Sequence, residues 1–191
     1  MERLYKQLQD YTPYNRQEAA DKQTMLEFIQ RNPDALHRSN RAGHFATSAW
    51  VVNRPRTKVL MIYHNIYNSW SWSGGHADGE ANLMAVARRE IAEETGLEEI
   101  TPLTEDILAI NVLTVERHIK KGQVVSSHLH LDVDFLFEAD DSLPLRIKDD
   151  ENSAVAWIDI DRIDEFVNEE KMKPVYRLLN EKMRKITERQ G

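Results

Sequence analysis

Trp70-Ser71-Trp72-Ser73-Gly74-Gly75-His76-Ala77-Asp78-Gly79 holds three of the chain's seven glycines. It runs directly into Glu80-Ala81-Asn82-Leu83-Met84-Ala85-Val86-Ala87-Arg88-Arg89-Glu90-Ile91-Ala92-Glu93-Glu94-Thr95-Gly96-Leu97. Glycines clustered in this way mark backbone that turns sharply or approaches another group closely, so the first segment reads as a special loop. The second has helical spacing and good helix formers from Glu80 to Glu94, and Gly96 is placed to stop the helix with a left-handed cap. Residues three and four apart share a helical face, so Glu90, Glu93 and Glu94 project three carboxylates from neighbouring turns. Unit charges about 4 Å apart repel by roughly 4 kcal/mol at an effective dielectric of about 20, so the cluster calls for solvent, cationic partners or a bound metal. Carboxylate oxygens are hard donors suited to Mg²⁺ or Mn²⁺. An acidic run on a helix is ordinarily only a solvated face; the glycine loop leading into this one sets it apart.

Working outward, the β-rich segments Ala49 to Val52 and Val59 to Tyr63 flank the turn-like Asn53-Arg54-Pro55-Arg56 and predict a hairpin. Beyond the acidic helix, strands are expected at Ile107 to Val115 and at Val124 to Phe137, joined through Lys120-Lys121-Gly122, and again at Ala154 to Ile160. Residues 1 to about 40 read as helical: Asn15 and Glu18 have capping-box spacing, Met25, Leu26 and Ile29 form an apolar stripe, and Asn32-Pro33 ends the run. A short helix after Asp161 and a longer one from Pro174, with Val175, Leu178, Leu179 and Met183 on one face, close the chain. The order predicts an α/β (α+β) sandwich with a mixed sheet. It divides into a helical extension over residues 1–43 and a main domain over 44–191 that includes the C-terminal helices.

Composition narrows the function. With 191 residues, 41% hydrophobic and 30% charged, the chain has the size and apolar content of one folded domain with an extension. Lys and Arg number 25 against 32 Asp and Glu, a net charge of −7, with no basic stretch to follow a phosphate backbone. A nucleic-acid polymer is therefore disfavoured as a partner. An acidic protein still accepts a polyanionic small molecule when a divalent cation lies between them. The chain has no cysteine, which removes disulfides, thiolate zinc sites and a cysteine nucleophile, and fits a reducing, cytoplasmic setting. Neither a signal-peptide core nor about 18 consecutive apolar residues occurs, so no membrane association is expected.

The order of strand, Gly-Gly loop, Arg-Glu-x-x-Glu-Glu and x-Gly resembles the Nudix box. That pattern reads Gly, five residues, Glu, seven residues, Arg-Glu, an aliphatic residue, any residue, Glu-Glu, any residue, Gly, aliphatic. Arg89, Glu90, Ile91, Glu93, Glu94, Gly96 and Leu97 match it, and Gly75 falls on its first glycine. The pattern's first glutamate falls on Ala81, with Glu80 one residue earlier. In the family that glutamate chiefly braces the loop against the arginine, so Glu80 is the candidate brace. Trp70 or Trp72 matches the tryptophan usual before Gly-Gly, whereas Ser73 stands where a proline is usual. Asp149-Asp150-Glu151 precedes Ala154-Val155-Ala156-Trp157-Ile158 as an acidic residue precedes a Trp-ending strand in the family. The similarity spans roughly residues 44 to 160.

The resemblance implies a Nudix-type α/β/α sandwich and a hydrolase that cleaves a diphosphate linkage in a nucleoside diphosphate derivative or similar small molecule. It assigns Mg²⁺ or Mn²⁺ to Glu90, Glu93 and Glu94, and the water's proton to Glu93 or Glu151. Arg89 would pair with a carboxylate and fix the loop, and Gly74, Gly75, His76 and Trp72 would contact substrate. Two other readings stand beside it. A nucleotide-sensing Nudix-like domain ordinarily loses box carboxylates, which are intact here. An isopentenyl diphosphate isomerase-like enzyme implies a catalytic cysteine, which is absent. The alternating His128, His130, Asp132 and Asp134 either line a pocket or form the polar side of a half-buried sheet, the bland option being preferred. The aromatic run Tyr63, His64, Tyr67, Trp70 and Trp72 suits base stacking or core packing. The terminal segments are free to shape a pocket, support a homodimer or merely cover the sheet.

Overall fold

In the computed structural model, which describes residues 1–120, 122–148 and 152–188, the expected hairpin forms between β1 (Gly43–Asn53) and β2 (Lys58–His64). The two run antiparallel with Val52 opposite Val59. Asn53 closes the turn, its Oδ1 accepting the N–H groups of Thr57 and Lys58 at 2.9 Å each. The other neighbour of β1 is β9 (His128–Ala139), paired in parallel from Gly43↔Leu129 to Asn53↔Ala139. That single parallel pair makes the sheet mixed. β10 (Asn152–Asp159) and the short β3 (Ser69–Ser71) pair with β2, β4 (Ser73–His76) with β1, and β5 (Ile100–Pro102) and β6 (Ala109–Val115) with β9, all antiparallel.

Strand side chains alternate between faces, so each strand serves two cores. Phe45, Ala49, Val51, Leu60, Leu131, Val133, Phe135 and Phe137 meet the helices α1 (Glu2–Asp10), α2 (Arg16–Arg31) and α3 (Leu83–Thr95) through Leu4, Leu8, Met25, Ile29, Leu83, Val86 and Ile91. Trp50, Val52, Val59, Met61 and Leu136 meet α4 (Ile163–Phe166) and α5 (Lys173–Glu188) through Ile163, Tyr176, Leu179 and Met183. The result is the α/β/α sandwich expected. Val175 and Leu178, assigned to the buried stripe, are half-buried, while Tyr176, Asn180 and Lys182 lie inside it.

Four details depart from the sequence reading. The N-terminal helical region is two helices, because Tyr11–Asn15 is not helical; Asn15 starts the second by accepting the Glu18 N–H at 2.9 Å. The segment read as one loop over 70–79 contains β3 and β4, since pairing with β2 and β1 overrides the low strand propensity of serine and glycine. The acidic helix begins at Leu83 rather than Glu80, because Asn82 caps it through Ala85 N–H. The strand expected over 124–137 is split: β8 (Gln123–Val125) turns back on β7 (His118–Lys120) as a separate hairpin before β9 begins. Gly96 ends α3 in the left-handed region at φ 78° as anticipated. Among the described residues no helix is long and apolar enough to cross a membrane.

Candidate active site

One face of the sheet changes character along its length. On β1 that face reads His44, Ala46, Ser48, Trp50, and on β9 His130, Asp132, Asp134, Leu136, paired in that order by the parallel register. The Trp50 and Leu136 end lies under α5. The other end carries histidines and carboxylates and opens into a cavity of about 370 Å³. The acidic helix supplies Arg89, Glu90, Glu93 and Glu94 to this cavity. β4 supplies Gly74, Gly75 and His76, and Arg38, Tyr67 and Lys148 complete the wall.

β4 is held too closely between β1 and α3 for a side chain on either glycine. A Cβ on Gly74 would lie 2.4 Å from the Thr47 carbonyl oxygen, and one on Gly75 would lie 2.4 Å from the Glu90 carboxyl. Neither glycine has positive φ, so close approach and not turning is the reason for both. Glu94, 3% exposed, fastens the helix to the strand: its Oε2 accepts the Ser73 hydroxyl at 2.6 Å and the Gly74 N–H at 3.1 Å. Asn152 donates to the Glu94 carbonyl at 3.2 Å, which ties the start of β10 to the same corner. Glu93 is exposed, with Lys148 Nζ 3.4 Å and Arg89 Nε 3.9 Å away.

The expected brace between Glu80 and Arg89 is not formed. Glu80 is exposed and accepts the Asn82 N–H at 2.7 Å, while Arg89 pairs along its own helix with Glu93. The one-residue shift of Glu80 places it in the turn before α3, out of step with the helical face that carries Arg89. It is Glu94, through Ser73 and Gly74, that holds the loop. Trp72 is largely core, 8% exposed and packed edge-on against Tyr176 at 5.2 Å, although it also borders the cavity. The aromatic run divides: Trp70 packs on Tyr63 at 5.6 Å, whereas His64 and Tyr67, 4.4 Å apart, line the cavity. Asp149, Asp150 and Glu151 lie outside the described residues.

The preferred reading of the β9 face as a half-solvated polar side is overturned, because Asp132 and Asp134 are 4% and 0% exposed. Burial pushes the Asp132 carboxyl up to about 7 even though the Ser48 hydroxyl donates to it at 2.9 Å. Burial, followed by the Asp132 charge, raises Asp134 well above the carboxylate range against the Asn111 amide that donates at 2.7 Å. Burial, reinforced by His76, His44, His128 and His118, lowers His130 to about 2. Burial also lifts Tyr67 to about 12. Arg38 and Lys148 had no motif to single them out; their place here depends on contacts across the fold.

The donors offered by α3 are all carboxylate oxygens, the chemistry that suits Mg²⁺ or Mn²⁺. The missing side chain at Gly75 admits the Glu90 carboxyl to the cavity wall, so these residues fit a hard dication.

The sequence profile of the NUDIX domain matches residues 43–179, from the first residue of β1 into α5. The chain belongs to the Nudix family of hydrolases, which act on phosphorus-containing acid anhydrides. Solved structures of similar fold include a MutT protein from Methanosarcina mazei Go1, at 14% identity over 76% of this chain and 96% of that one with a TM-score of 0.56. RenU, a Nudix hydrolase from M. smegmatis, is similar at 16% identity over 76% and 86% with a TM-score of 0.52. A Nudix-family hydrolase from Clostridium perfringens is similar at 18% identity over 75% and 96% with a TM-score of 0.51. At these identities the likeness is one of fold. No curated protein matches the chain.

Proposed function

We propose that the protein hydrolyses the pyrophosphate linkage of a nucleoside diphosphate derivative or similar small molecule by direct water attack, using Mg²⁺ or Mn²⁺ held by Glu90, Glu93 and Glu94. One observation carries this reading: the three carboxylates and the side-chain-free Gly74–Gly75 backbone line the same cavity, drawn together by the Glu94 contacts to Ser73 and Gly74. When bound, the dication neutralises phosphate charge and makes water a better nucleophile. Glu93, the most exposed of the three acids, is the side chain placed to take the water's proton, with Glu151 as the alternative on sequence grounds. Lys148 and Arg89, both beside Glu93, balance the carboxylate charge and offer cationic contact to the diphosphate. Gly74, Gly75 and His76 present backbone and ring to the substrate, and Trp72 stiffens the wall behind them. No covalent protein intermediate is needed; positioning and electrostatics lower the barrier. We place the enzyme in the cytoplasm on the same reading, supported by its cysteine-free composition.

The test is a panel of nucleoside diphosphate derivatives assayed for products with and without Mg²⁺ or Mn²⁺. Turnover should vanish without a divalent ion. Glu93→Gln and Glu94→Gln should each lower kcat by several orders of magnitude, while wild-type rates in both variants would remove the mechanism. Stoichiometric binding with no phosphate release would instead favour a sensor.

A further inference from the structure

Next to the carboxylates, and made of different donors, lies a histidine cluster of which the hydrolytic reading uses only the His76 ring. His44 is on β1, His76 on β4 and His130 on β9. The register brings them together: His44 stands opposite His130 in the parallel pair, and Ala46, the next residue on the same face of β1, stands opposite His76 in the antiparallel pair. We propose that His44, His76 and His130 form a binding site for a borderline transition-metal dication of the zinc type, separate from the carboxylate site.

Three observations carry the site. The ligating nitrogens of the three rings lie within 4.8 Å of one another. Their ring centroids stand 5.0 Å (His44–His76), 5.1 Å (His44–His130) and 4.9 Å (His76–His130) apart. A tetrahedral metal at about 2.0–2.1 Å from each nitrogen would set imidazole centroids about 5 Å apart, so the rings need only rotate to converge. The third observation is an orphan. His44 is 4% exposed; its Nδ1 lies 3.2 Å from the Asn40 carbonyl and donates to it, yet its buried Nε2 has no hydrogen-bond partner. That arrangement fixes the tautomer and leaves the Nε2 lone pair unused, as the outer hydrogen bond of a metal-ligating histidine does. Leaving such an acceptor buried and unsatisfied is unfavourable unless something fills the site.

His128 flanks the trio. Its ring stacks on His44 at 5.0 Å, its Nδ1 donates to the Ser126 carbonyl at 2.9 Å, and its Nε2 is 3.2 Å from His130 Nε2. The donor sets separate the two sites: imidazole selects zinc, copper, nickel or iron, whereas carboxylates select magnesium or manganese. His76 and His130 line both the 370 Å³ cavity and a second one of about 410 Å³. Three protein ligands beside open space form the pattern in which a fourth position takes water or an anionic oxygen of a ligand.

The experiment uses the full chain, freed of metal and held in excess Mg²⁺ to saturate the carboxylates, then titrated with Co²⁺. The expected result is one Co²⁺ per chain with the visible absorption of tetrahedral nitrogen ligation, displaced by Zn²⁺. His76→Gln and His130→Gln should each weaken Zn²⁺ binding at least about 10-fold, since removing a ligand costs no less than removing its outer partner. Glu93→Gln should keep the absorption whatever becomes of hydrolysis, which separates this inference from the hydrolytic one. An absent band, or a band lost in Glu93→Gln and retained in both histidine variants, overturns the site. Should either histidine variant misfold, imidazole ¹⁵N shifts of the wild-type chain decide: three rings moved by Zn²⁺ support the site, and none moved refutes it.

Discussion

Gly75 shows how one missing methyl group makes room for a charge. A Cβ there would overlap the Glu90 carboxyl at 2.4 Å, and the strand cannot retreat because it is paired to β1 on its other side. Gly75→Ala should therefore lower stability by about 1–3 kcal/mol, the usual cost of overpacking, and cut kcat at least tenfold by displacing Glu90. Thermal melts and steady-state kinetics check both; an unperturbed kcat would detach Glu90 from the chemistry. Ser73 has a local logic of its own. A proline at this position has no hydroxyl to give, whereas serine donates to the buried Glu94 carboxylate. That Glu90, Glu93 and Glu94 share one helical face was readable from spacing, while Gly75 was singled out by the resemblance to the Nudix box. Which carboxylate would be buried and holding the loop was not, because that depends on the distance between α3 and β4.

At the scale of elements, β9 carries more than its sequence suggested. Its alternation of His130, Asp132 and Asp134 was visible, but alternation says only that residues share a face, not that the face is covered. Asn111 of β6 donates to Asp134, the Lys182 and Glu18 charges lie near it, and its side chain is beyond reach of water. The folded chain then keeps a proton on Asp134 that an unfolded carboxyl releases near 3.8. Its stabilising contribution is complete below that pH and is lost as pH rises through the raised folded-state value; Asp132 adds a similar loss up to about 7. Wild-type Tm should thus fall as pH rises through the neutral range, and Asp134→Asn should flatten the slope. The gain should be about 2–4 °C for each kcal/mol recovered in a chain of this size. Parallel Tm profiles for the two proteins would show that Asp134 does not titrate in this way.

Across the whole molecule, the two ends of the chain meet. Lys182 on α5 pairs with Glu18 on α2 and donates to the Tyr11 hydroxyl at 2.7 Å and the Leu108 carbonyl at 2.9 Å, with both charged side chains buried. Burial lowers the Lys182 pKa, opposed by Glu18, so the pair is held by its partners and not by solvent. Lys182→Ala should cost about 3–5 kcal/mol, because Glu18 is left buried and uncompensated, whereas Lys182→Met with Glu18→Gln should recover most of it. Urea unfolding measures both; a loss below about 1 kcal/mol in Lys182→Ala would mean that the extension is fastened by apolar packing alone.

The local signals in the chain were sufficient for its helices, its hairpin and the acid-bearing turn, since period, capping and glycine placement act between residues a few positions apart. The parallel partner of β1, the burial of Asp132 and Asp134, the arrival of Arg38 and Lys148 at the cavity, and the meeting of three histidines from three strands arose only in the folded state. Each needs contacts between residues tens of positions apart, and no local preference encodes the register that brings them together.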